Sequence, residues 1–392
     1  MLNKLRPIAI HLPQFHPFPE NDEWWGKGFT EWTNVTKAKP LYEGHDQPQL
    51  PTDLGFYDLR LAECRLEQEK LAKEYGIYGF CYYHYWFNGK LLMEKPLEEK
   101  LKNPKEDFPF MLCWANENWT RVWDGGDQNI LMQQDYSDME DHIAHINYLI
   151  PFFKDERYIK IDGKAVFAVY RTSLIPDFDK VAELWRKEVA KHGIELYITR
   201  FESFGEKGQE FITKNIDASI EFQPHSGIKT LKEIKDKNNS LEKQNFKSLR
   251  DEISVSTIKQ SFSHWTKKLK LKSTESIPQL DGKLVEYIDF ANADIEYHKN
   301  EKPDHKFFRC VCPGFDNSAR KAKNYFILKN TSPKIFKHWL EEKVKLFTPF
   351  SEEENLFFIN AWNEWAEGNY LEPSKTWGRE YLDVVKEVFK NK

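Results

Sequence analysis

Short apolar segments alternate with amphipathic segments along most of this 392-residue chain. The apolar segments are rich in β-branched and aromatic residues, as expected of parallel strands that are covered on both faces. Eight of them follow one another, at residues 6–12, 76–86, 108–117, 165–173, 195–203, 218–224, 306–315 and 356–365. Eight strands that alternate with helices predict an α/β protein built as a single (β/α)8 TIM-like barrel over residues 1–392. A doubly wound open sheet is the alternative, because alternation alone does not distinguish the two folds.

The segments between these strands have the spacing of helices that pack one face against a core. Apolar residues recur at helical intervals in four segments, 59–71, 139–153, 184–189 and 379–391. Ser332 followed by Pro333 predicts the start of another helix, since serine caps helix N-termini and proline suits the first helical position. We expect these helices to cover the outside of the barrel.

A basic segment interrupts this alternation. Residues 225–283 separate the sixth strand from the next helix candidate at 284–297, and they are more than a βα connection normally needs. Within them, residues 229–272 hold 12 Lys or Arg and 5 Asp or Glu. We interpret 225–283 as an insertion or lid within the barrel domain. The alternative is that its charge attracts an anionic glycan, a lipid-linked diphosphate or the cytoplasmic face of a membrane, which would give a peripheral membrane contact.

The aromatic content narrows the class of ligand. The chain has 13 Trp, 17 Tyr and 29 Phe, and many stand beside Asn, Gln, Glu, Asp and His, as in CWANENWTRVWDGG. Such a mixture fits a carbohydrate site better than a core, since sugars stack on rings and their hydroxyls need hydrogen bonds. The net charge of −5 gives no indication of nucleic acid. No apolar run reaches the ~18 residues of a membrane span and no signal sequence precedes the first strand, so we expect a soluble, cytoplasmic protein.

Polar and aromatic residues collect at the C-terminal ends of the predicted strands. In a closed barrel these ends converge on one rim, where such enzymes keep their chemistry. The candidates for substrate binding are His11, Gln14, His84, Trp86, Trp114, Asn116, Glu117, Glu221, Gln223, Asp316, Asn317 and Asn363, with Trp25, Trp32, Trp365 and Tyr370 from the adjoining segments. No histidine or carboxylate pattern has the spacing of a metal site, so we predict no obligatory metal and no cofactor.

Several of these candidates also have a structural interpretation. Asn116 and Glu117 could form a polar brace between neighbouring loops. Trp32 could belong to a packed loop that wraps the rim. Asp316 could form an ion pair with Arg320 that holds its loop, instead of orienting a substrate.

Two carboxylates at the end of the last strand are the strongest candidates for chemistry. Glu364 and Glu367 lie in NAWNEWAEG, residues 360–368, among tryptophans and before a glycine. In a turn or helical bend, residues three apart come within about 5–6 Å, and a separation near ~5 Å suits a retaining glycosidase. Crowding of two negative charges and burial by the tryptophans would keep one acid protonated while the other stays ionised. A surface loop with two solvated acids is the alternative.

Five long motifs give the chain a family resemblance. Residues 11–35, 79–90, 112–125, 313–320 and 361–373 resemble the WbsX family of bacterial polysaccharide-cluster proteins. That family is similar to glycoside hydrolase family 99, the endo-α-1,2-mannosidases and mannanases. The resemblance to WbsX covers nearly the whole chain, whereas the resemblance to the hydrolases rests mostly on the final motif and the barrel.

The resemblance implies roles for the two acids. In the hydrolases the NEWxEG segment carries both catalytic carboxylates, which implies that Glu367 is the general acid/base. It also implies that Glu364 is the base that assists the 2-hydroxyl of the sugar in displacing the leaving group. The reaction would pass through a 1,2-anhydro sugar with net retention of configuration. This chain has Ala366 where the hydrolases commonly have histidine.

Three hypotheses about function follow. The first is a retaining glycoside hydrolase or transglycosylase that acts on a polysaccharide. The second is a glycosyltransferase of O-antigen or capsule assembly, within lipopolysaccharide biosynthesis, that acts on a lipid-linked oligosaccharide. Against the second, no glycine-rich dinucleotide fingerprint follows a strand, and DFD at 177–179 lies in a predicted loop. The third is a non-catalytic glycan-binding barrel.

Overall fold

An eight-stranded parallel barrel forms the centre of the computed structural model, which describes residues 5–121, 130–203, 205–228 and 281–390. The barrel strands are β1 (Arg6–His11), β2 (Gly79–Phe87), β4 (Phe110–Trp114), β8 (Lys164–Val169), β9 (Leu196–Glu202), β10 (Ala218–Glu221), β12 (Phe307–Phe308) with β13 (Cys310–Val311), and β15 (Leu356–Ile359). Nearly all of their residues are buried, because the barrel interior fills one face and helices cover the other.

The two short strands β12 and β13 close the barrel. β10 pairs with β12, and β13 pairs with β15, all in parallel. Only Arg309 separates β12 from β13, so together they form the seventh strand of the ring. The carbonyl of Arg309 accepts a hydrogen bond from the Phe358 amide at 2.8 Å, which continues the pairing across the break. β1 lies between β15 and β2, so the first and last strands are neighbours.

Helices surround the barrel. They are α1 (Pro19–Trp25), α2 (Glu31–Lys37), α3 (Ala62–Glu74), α4 (Lys95–Lys102), α5 (Met139–Lys154), α6 (Phe178–Ala190), α7 (Tyr287–Asn300), α8 (Pro333–Lys345) and α9 (Glu380–Lys390). The Ser332 hydroxyl accepts the Ile335 amide and caps α8, which buries Phe336, Trp339 and Leu340 at helical spacing. No helix in the described ranges has the length and apolar character needed to cross a membrane.

Shorter strands are present in addition to the barrel strands. They are β3 (Lys90–Leu92), β5 (Trp119–Thr120), β6 (Ile130–Met132), β7 (Lys160–Ile161), β11 (Gly282–Glu286), β14 (Tyr325–Lys329), β16 (Asn363–Glu364) and β17 (Asn369–Tyr370). β5 with β6 and β16 with β17 form antiparallel pairs that follow barrel strands β4 and β15 along the chain. They therefore build the rim at the C-terminal ends of the barrel strands.

The predicted single (β/α)8 barrel is confirmed, and each strand candidate overlaps a barrel strand. The helix predicted over 284–297 is wrong at its start, since residues 282–286 form β11 and the helix begins at Tyr287. The local reason is pairing with β14, where Gly282 lies against the Tyr325 ring so closely that a Cβ would come within 2.1 Å. The basic stretch 229–272 lies outside the described residues, as does most of the predicted insertion 225–283.

Candidate active site

One guanidinium joins three carboxylates at the C-terminal rim of the barrel. Arg320 donates from Nη2 to Glu364 Oε2 and from Nη1 to Glu367 Oε1, each at 2.7 Å. It also donates from Nε to Glu31 Oε1 at 2.6 Å. The side chain of Glu364 is 8% exposed and that of Glu367 is 24% exposed. Because one positive charge faces three acids, the group carries a net negative charge when all of them are ionised.

A tight turn brings Glu364 and Glu367 to the same side. Glu364 ends β16, and residues 365–367 form one turn of 3-10 helix, in which positions three apart lie one above the other. Gly368 then has φ +55°, in the left-handed region that glycine adopts without strain. A Cβ on Gly368 would lie 3.0 Å from the Asp316 Cβ, so the turn also needs the small residue for space. The chain returns through β17, which pairs with β16.

The loop before Arg320 is held by Asp316. The Asp316 carboxylate accepts the Ser318 amide at 3.0 Å, His45 Nε2 at 2.7 Å and Gln47 Nε2 at 2.6 Å. The Asn317 side chain accepts the Phe326 amide at 2.8 Å, which ties the same loop to β14. These contacts give Asp316 and Asn317 a structural role. The predicted ion pair between Asp316 and Arg320 is therefore wrong. Arg320 instead pairs with Glu31, Glu364 and Glu367.

A cleft of about 280 Å³ opens above this group. Five of its lining residues are aromatic and three are acidic. It is lined by Leu12, Gln14, Tyr83, Tyr85, Ala115, Glu117, Asn118, Trp119, Thr120, Tyr170, Phe222, His225, Arg320, Glu364 and Glu367. Ring faces beside convergent polar groups are the composition that a sugar-binding cleft requires.

The acids of this group hold a proton near neutral pH. Burial raises the pKa of Glu364 to about 8, with Arg320 opposing the rise and the charges of Glu367 and Glu31 adding to it. Burial also raises the pKa of Glu31, again against the pull of Arg320. Near neutral pH, Glu364 is therefore protonated, and it must be ionised before it can accept a proton.

Four of the predicted site residues line this cleft. They are Gln14, Glu117, Glu364 and Glu367. Glu117 also accepts Arg171 Nη1 at 3.0 Å. Asn116 does not reach the cleft, because its amide exchanges two hydrogen bonds of 2.8 Å with the backbone of Arg171. The polar brace is thus the observed role of Asn116.

A second set of predicted residues lies beneath the acids. Asn363 bridges to the backbone of Leu12, accepting from N at 2.8 Å and donating to O at 3.0 Å. The Trp365 ring stacks on Tyr370 with centroids 3.8 Å apart and packs on Trp32 at 5.8 Å. All four predicted side chains are buried and do not line the cleft. The prediction that they bind substrate is therefore corrected: they support the segment that carries Glu364 and Glu367.

The prediction of substrate contact is wrong for His84, Trp86 and Trp114. Their side chains point outward from the barrel to α5, where His84 Nε2 lies 2.9 Å from His145 Nε2. Trp86 donates to Asp141 on the same helix, and Trp114 packs on His145 at 4.6 Å. Side chains alternate along a strand, so Tyr83 and Tyr85 face the cleft while their neighbours face the helix layer.

Three further candidates also lie away from the cleft. His11 is buried and contacts Gln68 Oε1 at 3.2 Å. Trp25 packs against Phe29 with centroids 5.8 Å apart, on α1. Glu221 belongs to a buried polar cluster with Asp294, His298 and Lys343. The prediction that these side chains reach the substrate is therefore corrected.

That cluster lies between β10 and helices α7 and α8. Glu221, Asp294 and His298 place ligand atoms within 4.8 Å of one another, the geometry of a possible metal site among the described residues. Lys343 Nζ, however, lies 2.7 Å from both oxygens of Glu221 and 2.9 Å from Asp294 Oδ2. An ammonium group thus stands where a cation would bind. Gln223 donates to Glu221 at 2.6 Å and belongs to the same cluster, not to the cleft.

The sequence analysis missed Glu31 of the acid group and several residues of the cleft. No sequence pattern marked Glu31 as a site residue, because it stands alone at the start of α2 and is 289 positions from its partner Arg320. His225 and Phe222 follow β10 and line the cleft where Glu221 and Gln223 were expected. Tyr170 and Trp119 are single aromatic residues after β8 and β4. The period of two along a strand is the signal that would have separated inward from outward positions.

A known family and known sequences match nearly the whole chain. The family model described as Glycosyltransferase WbsX matches residues 7–385. In two strains of Xanthomonas campestris pv. campestris, the protein described as "Uncharacterized protein WxcX" is 35% identical over 385 residues. The match covers 97% of this chain and 49% of WxcX, so the chain spans about half the length of these curated relatives.

Solved structures share the fold. A structure described as a glycoside hydrolase-like protein has a TM-score of 0.54 at 13% identity, over 99% of this chain and 94% of that chain. The GH99 endo-alpha-mannosidase from Bacteroides thetaiotaomicron has a TM-score of 0.54 at 12% identity, over 98% and 96% of the two chains. The structure of its complex with bis-tris-propane has a TM-score of 0.52 at 11% identity, over 98% of this chain and 97% of that chain. At these identities the likeness extends to the fold alone.

Proposed function

The chain belongs to the family described as Glycosyltransferase WbsX, and from that premise we propose that it is a carbohydrate-active enzyme that cleaves or transfers a glycosidic bond of a polysaccharide. The observation that carries the proposal is the pair Glu364 and Glu367, held by one guanidinium on the floor of an aromatic cleft. Two carboxylates close enough to contact one guanidinium suit glycosidic bond cleavage with retention. The surrounding rings supply faces on which sugars stack.

In the first step of the proposed reaction, the ionised form of Glu364 takes the proton of the sugar 2-hydroxyl. The 2-oxygen then attacks the anomeric carbon, and the bond from that carbon to the leaving oxygen breaks. Glu367 gives its proton to the leaving oxygen. The product is a 1,2-anhydro sugar, and each proton that moves has a named donor and acceptor.

In the second step, Glu367 takes a proton from an incoming hydroxyl whose oxygen attacks the anomeric carbon. The bond between that carbon and the 2-oxygen breaks, and Glu364 returns its proton to the 2-oxygen. Water as the acceptor gives hydrolysis, whereas a sugar hydroxyl gives transglycosylation. Two inversions at the anomeric carbon give net retention.

A glycosyltransferase of O-antigen or capsule assembly is the second candidate, favoured by the description of the family to which the chain belongs. Its substrate would be a lipid-linked oligosaccharide in the cytoplasm. The basic segment 229–272 would then serve as a peripheral membrane contact, because clustered lysines bind anionic headgroups. Both candidates use the same cleft and differ in whether a nucleotide-sugar is consumed.

The test is to supply α-mannans and rhamnose-containing polysaccharides to the wild-type protein and to Glu367→Gln. We expect the wild type to release reducing sugar without a donor and Glu367→Gln to lose turnover by at least about 10²-fold while it keeps most of its affinity for the polysaccharide. Glu67→Gln is the matched control, since Glu67 is 62% exposed on α3 and makes only a surface ion pair with Lys70. Its turnover should equal that of the wild type.

Each of the other outcomes points to a different function. Consumption of a nucleotide-sugar with no release of reducing sugar supports the glycosyltransferase. Binding of a polysaccharide that is unchanged in Glu364→Gln/Glu367→Gln, with no turnover by any form, supports a glycan-binding barrel. Wild-type turnover by Glu367→Gln would remove this residue from the mechanism.

A further inference from the structure

A buried carboxylate outside the cleft lies directly behind the proposed catalytic segment. Glu372 is 2% exposed and follows β17. It accepts hydrogen bonds from Trp365 Nε1 at 2.6 Å, Tyr57 Oη at 2.9 Å and Gln68 Nε2 at 2.7 Å. All three donors are neutral, so the carboxylate is satisfied by hydrogen bonds and not by an ion pair. Its backbone amide contacts the carbonyl of Trp362 at 3.3 Å.

These hydrogen bonds reach both neighbours of Glu364. Trp365 follows it and donates directly to Glu372. Asn363 precedes it and donates to Tyr57 Oη at 3.2 Å, and Tyr57 in turn donates to Glu372. Asn363 is also bonded to the backbone of β1's C-terminal extension at Leu12. The peptide that carries Glu364 is thus anchored on either side to one buried group.

The chemistry of the three donors explains why the residue is an acid. An ionised carboxylate has only acceptors, so it receives all three donors at once. A glutamine of the same shape has one oxygen and an NH2 group, and the NH2 group would face a donor and leave a buried N–H or O–H without a partner. Burial raises the pKa of Glu372 to about 7, while the hydrogen bonds from Trp365, Gln68 and Tyr57 oppose the rise.

We propose that Glu372 is a positioning residue for the reaction of Glu364 and Glu367: its carboxylate fixes Trp365 and, through Tyr57, Asn363, and so holds Glu364 at Arg320 beneath the cleft. This inference rests on the proposed function, since it assigns a task within the same site. Glu372 itself does not line the cleft. It acts on the reaction only through the segment that it holds.

The test compares Glu372→Gln with Glu372→Asp on whichever polysaccharide the wild type turns over. We expect Glu372→Gln to lower kcat on the order of 10²-fold with KM changed less than about threefold, because misplacement of a catalytic group affects the chemical step more than substrate binding. Glu372→Asp keeps an acceptor-only group and should restore part of the lost kcat. A crystal structure of Glu372→Gln should show Trp365 rotated and the contact from Arg320 to Glu364 lengthened.

The matched control is Glu354→Gln at the opposite end of the barrel. Glu354 is also buried and also accepts a tyrosine hydroxyl, that of Tyr197, at 2.8 Å, in addition to an ion pair with Lys306, but it precedes β15 at the N-terminal end of the barrel strands. Its substitution should lower the thermal midpoint and leave kcat unchanged. A loss of kcat in Glu354→Gln equal to that in Glu372→Gln would overturn the proposal, because the effect would then be one of stability.

Failure of this inference is distinguishable from failure of the proposed function. If Glu367→Gln is inactive while Glu372→Gln keeps wild-type kcat, Glu372 has no positioning role and the proposed function stands. If Glu367→Gln keeps wild-type turnover, the proposed function fails. The crystal structure of Glu372→Gln then decides the anchoring without reference to activity, and an unmoved Trp365 and Glu364 would refute it.

Discussion

The pH dependence of unfolding offers a test of the active-site group that needs no substrate. Burial raises the pKa of Glu364 to about 8, from an ordinary value of 4.5. A carboxyl with a raised folded pKa contributes stability that is fully present below the unfolded pKa and is lost as pH rises through the folded pKa. Through this group, the wild-type protein should therefore lose stability between about pH 4.5 and pH 8, relative to a variant that lacks it. Glu364→Gln removes the titrating group and should lose less over the same range.

The magnitude follows from the two pKa values. Each unit of difference corresponds to 1.36 kcal/mol, so integration of the linkage relation from pH 5 to pH 9 gives a loss of about 4 kcal/mol through this one group. We expect the stability difference between Glu364→Gln and the wild type to shift by about that amount in favour of the variant across this interval. The assay is the free energy of unfolding from urea titrations at one-unit steps of pH, supported by thermal midpoints.

The control for this experiment is Glu67→Gln, which removes an exposed carboxylate. Its stability should run parallel to that of the wild type at every pH. The reasoning is refuted if Glu364→Gln also runs parallel to the wild type, because Glu364 would then titrate as a solvated acid. A wild-type stability that rises with pH over this interval, relative to the variant, would show that Arg320 outweighs burial and lowers the pKa instead.

Two other substitutions probe the same site. Arg320→Met should cost about 3–5 kcal/mol, since it leaves buried carboxylates without their cation, and equal urea midpoints for the variant and the wild type would contradict this. Gly368→Ala should lower the thermal midpoint by more than Gly378→Ala does, because both glycines have positive φ but only Gly368 has Asp316 within 3.0 Å of the new Cβ. Equal midpoints for the two alanine variants would show that the turn tolerates a side chain.

The fold and the acid pair were accessible from sequence for the same physical reason. A strand buried on both faces must be apolar along its length, so eight such strands are visible as eight apolar runs. Polar residues that break these runs stand out at the strand ends, and Glu364 and Glu367 are the acids at the last of them. The turn that brings them together was predictable from their spacing and from Gly368.

Contacts between residues that are far apart in the sequence could not be predicted from it. The assignment of Glu221 to the cleft failed because its partner Lys343 lies 122 positions away, and the pairing is visible only when α8 is packed against β10. Glu31 was overlooked for the same reason, since nothing near it in sequence distinguishes it from a solvated helix residue. For His84, the predicted position at a strand end is correct, but the predicted direction of its side chain is wrong. The side chain points away from the cleft, towards His145.

Burial and the neighbouring carboxylates together explain how Glu364 keeps a proton beside a guanidinium. Burial raises the pKa of Glu364 most, and the charge of Arg320 opposes that rise. Glu31 takes two of the hydrogen bonds of Arg320 and adds a negative charge that raises the pKa of Glu364. The guanidinium thus fixes the geometry of the pair, while burial, Glu367 and Glu31 offset its effect on the pKa of Glu364. The remaining negative charge lies on the floor of the cleft, where an oxocarbenium-like transition state would carry positive charge.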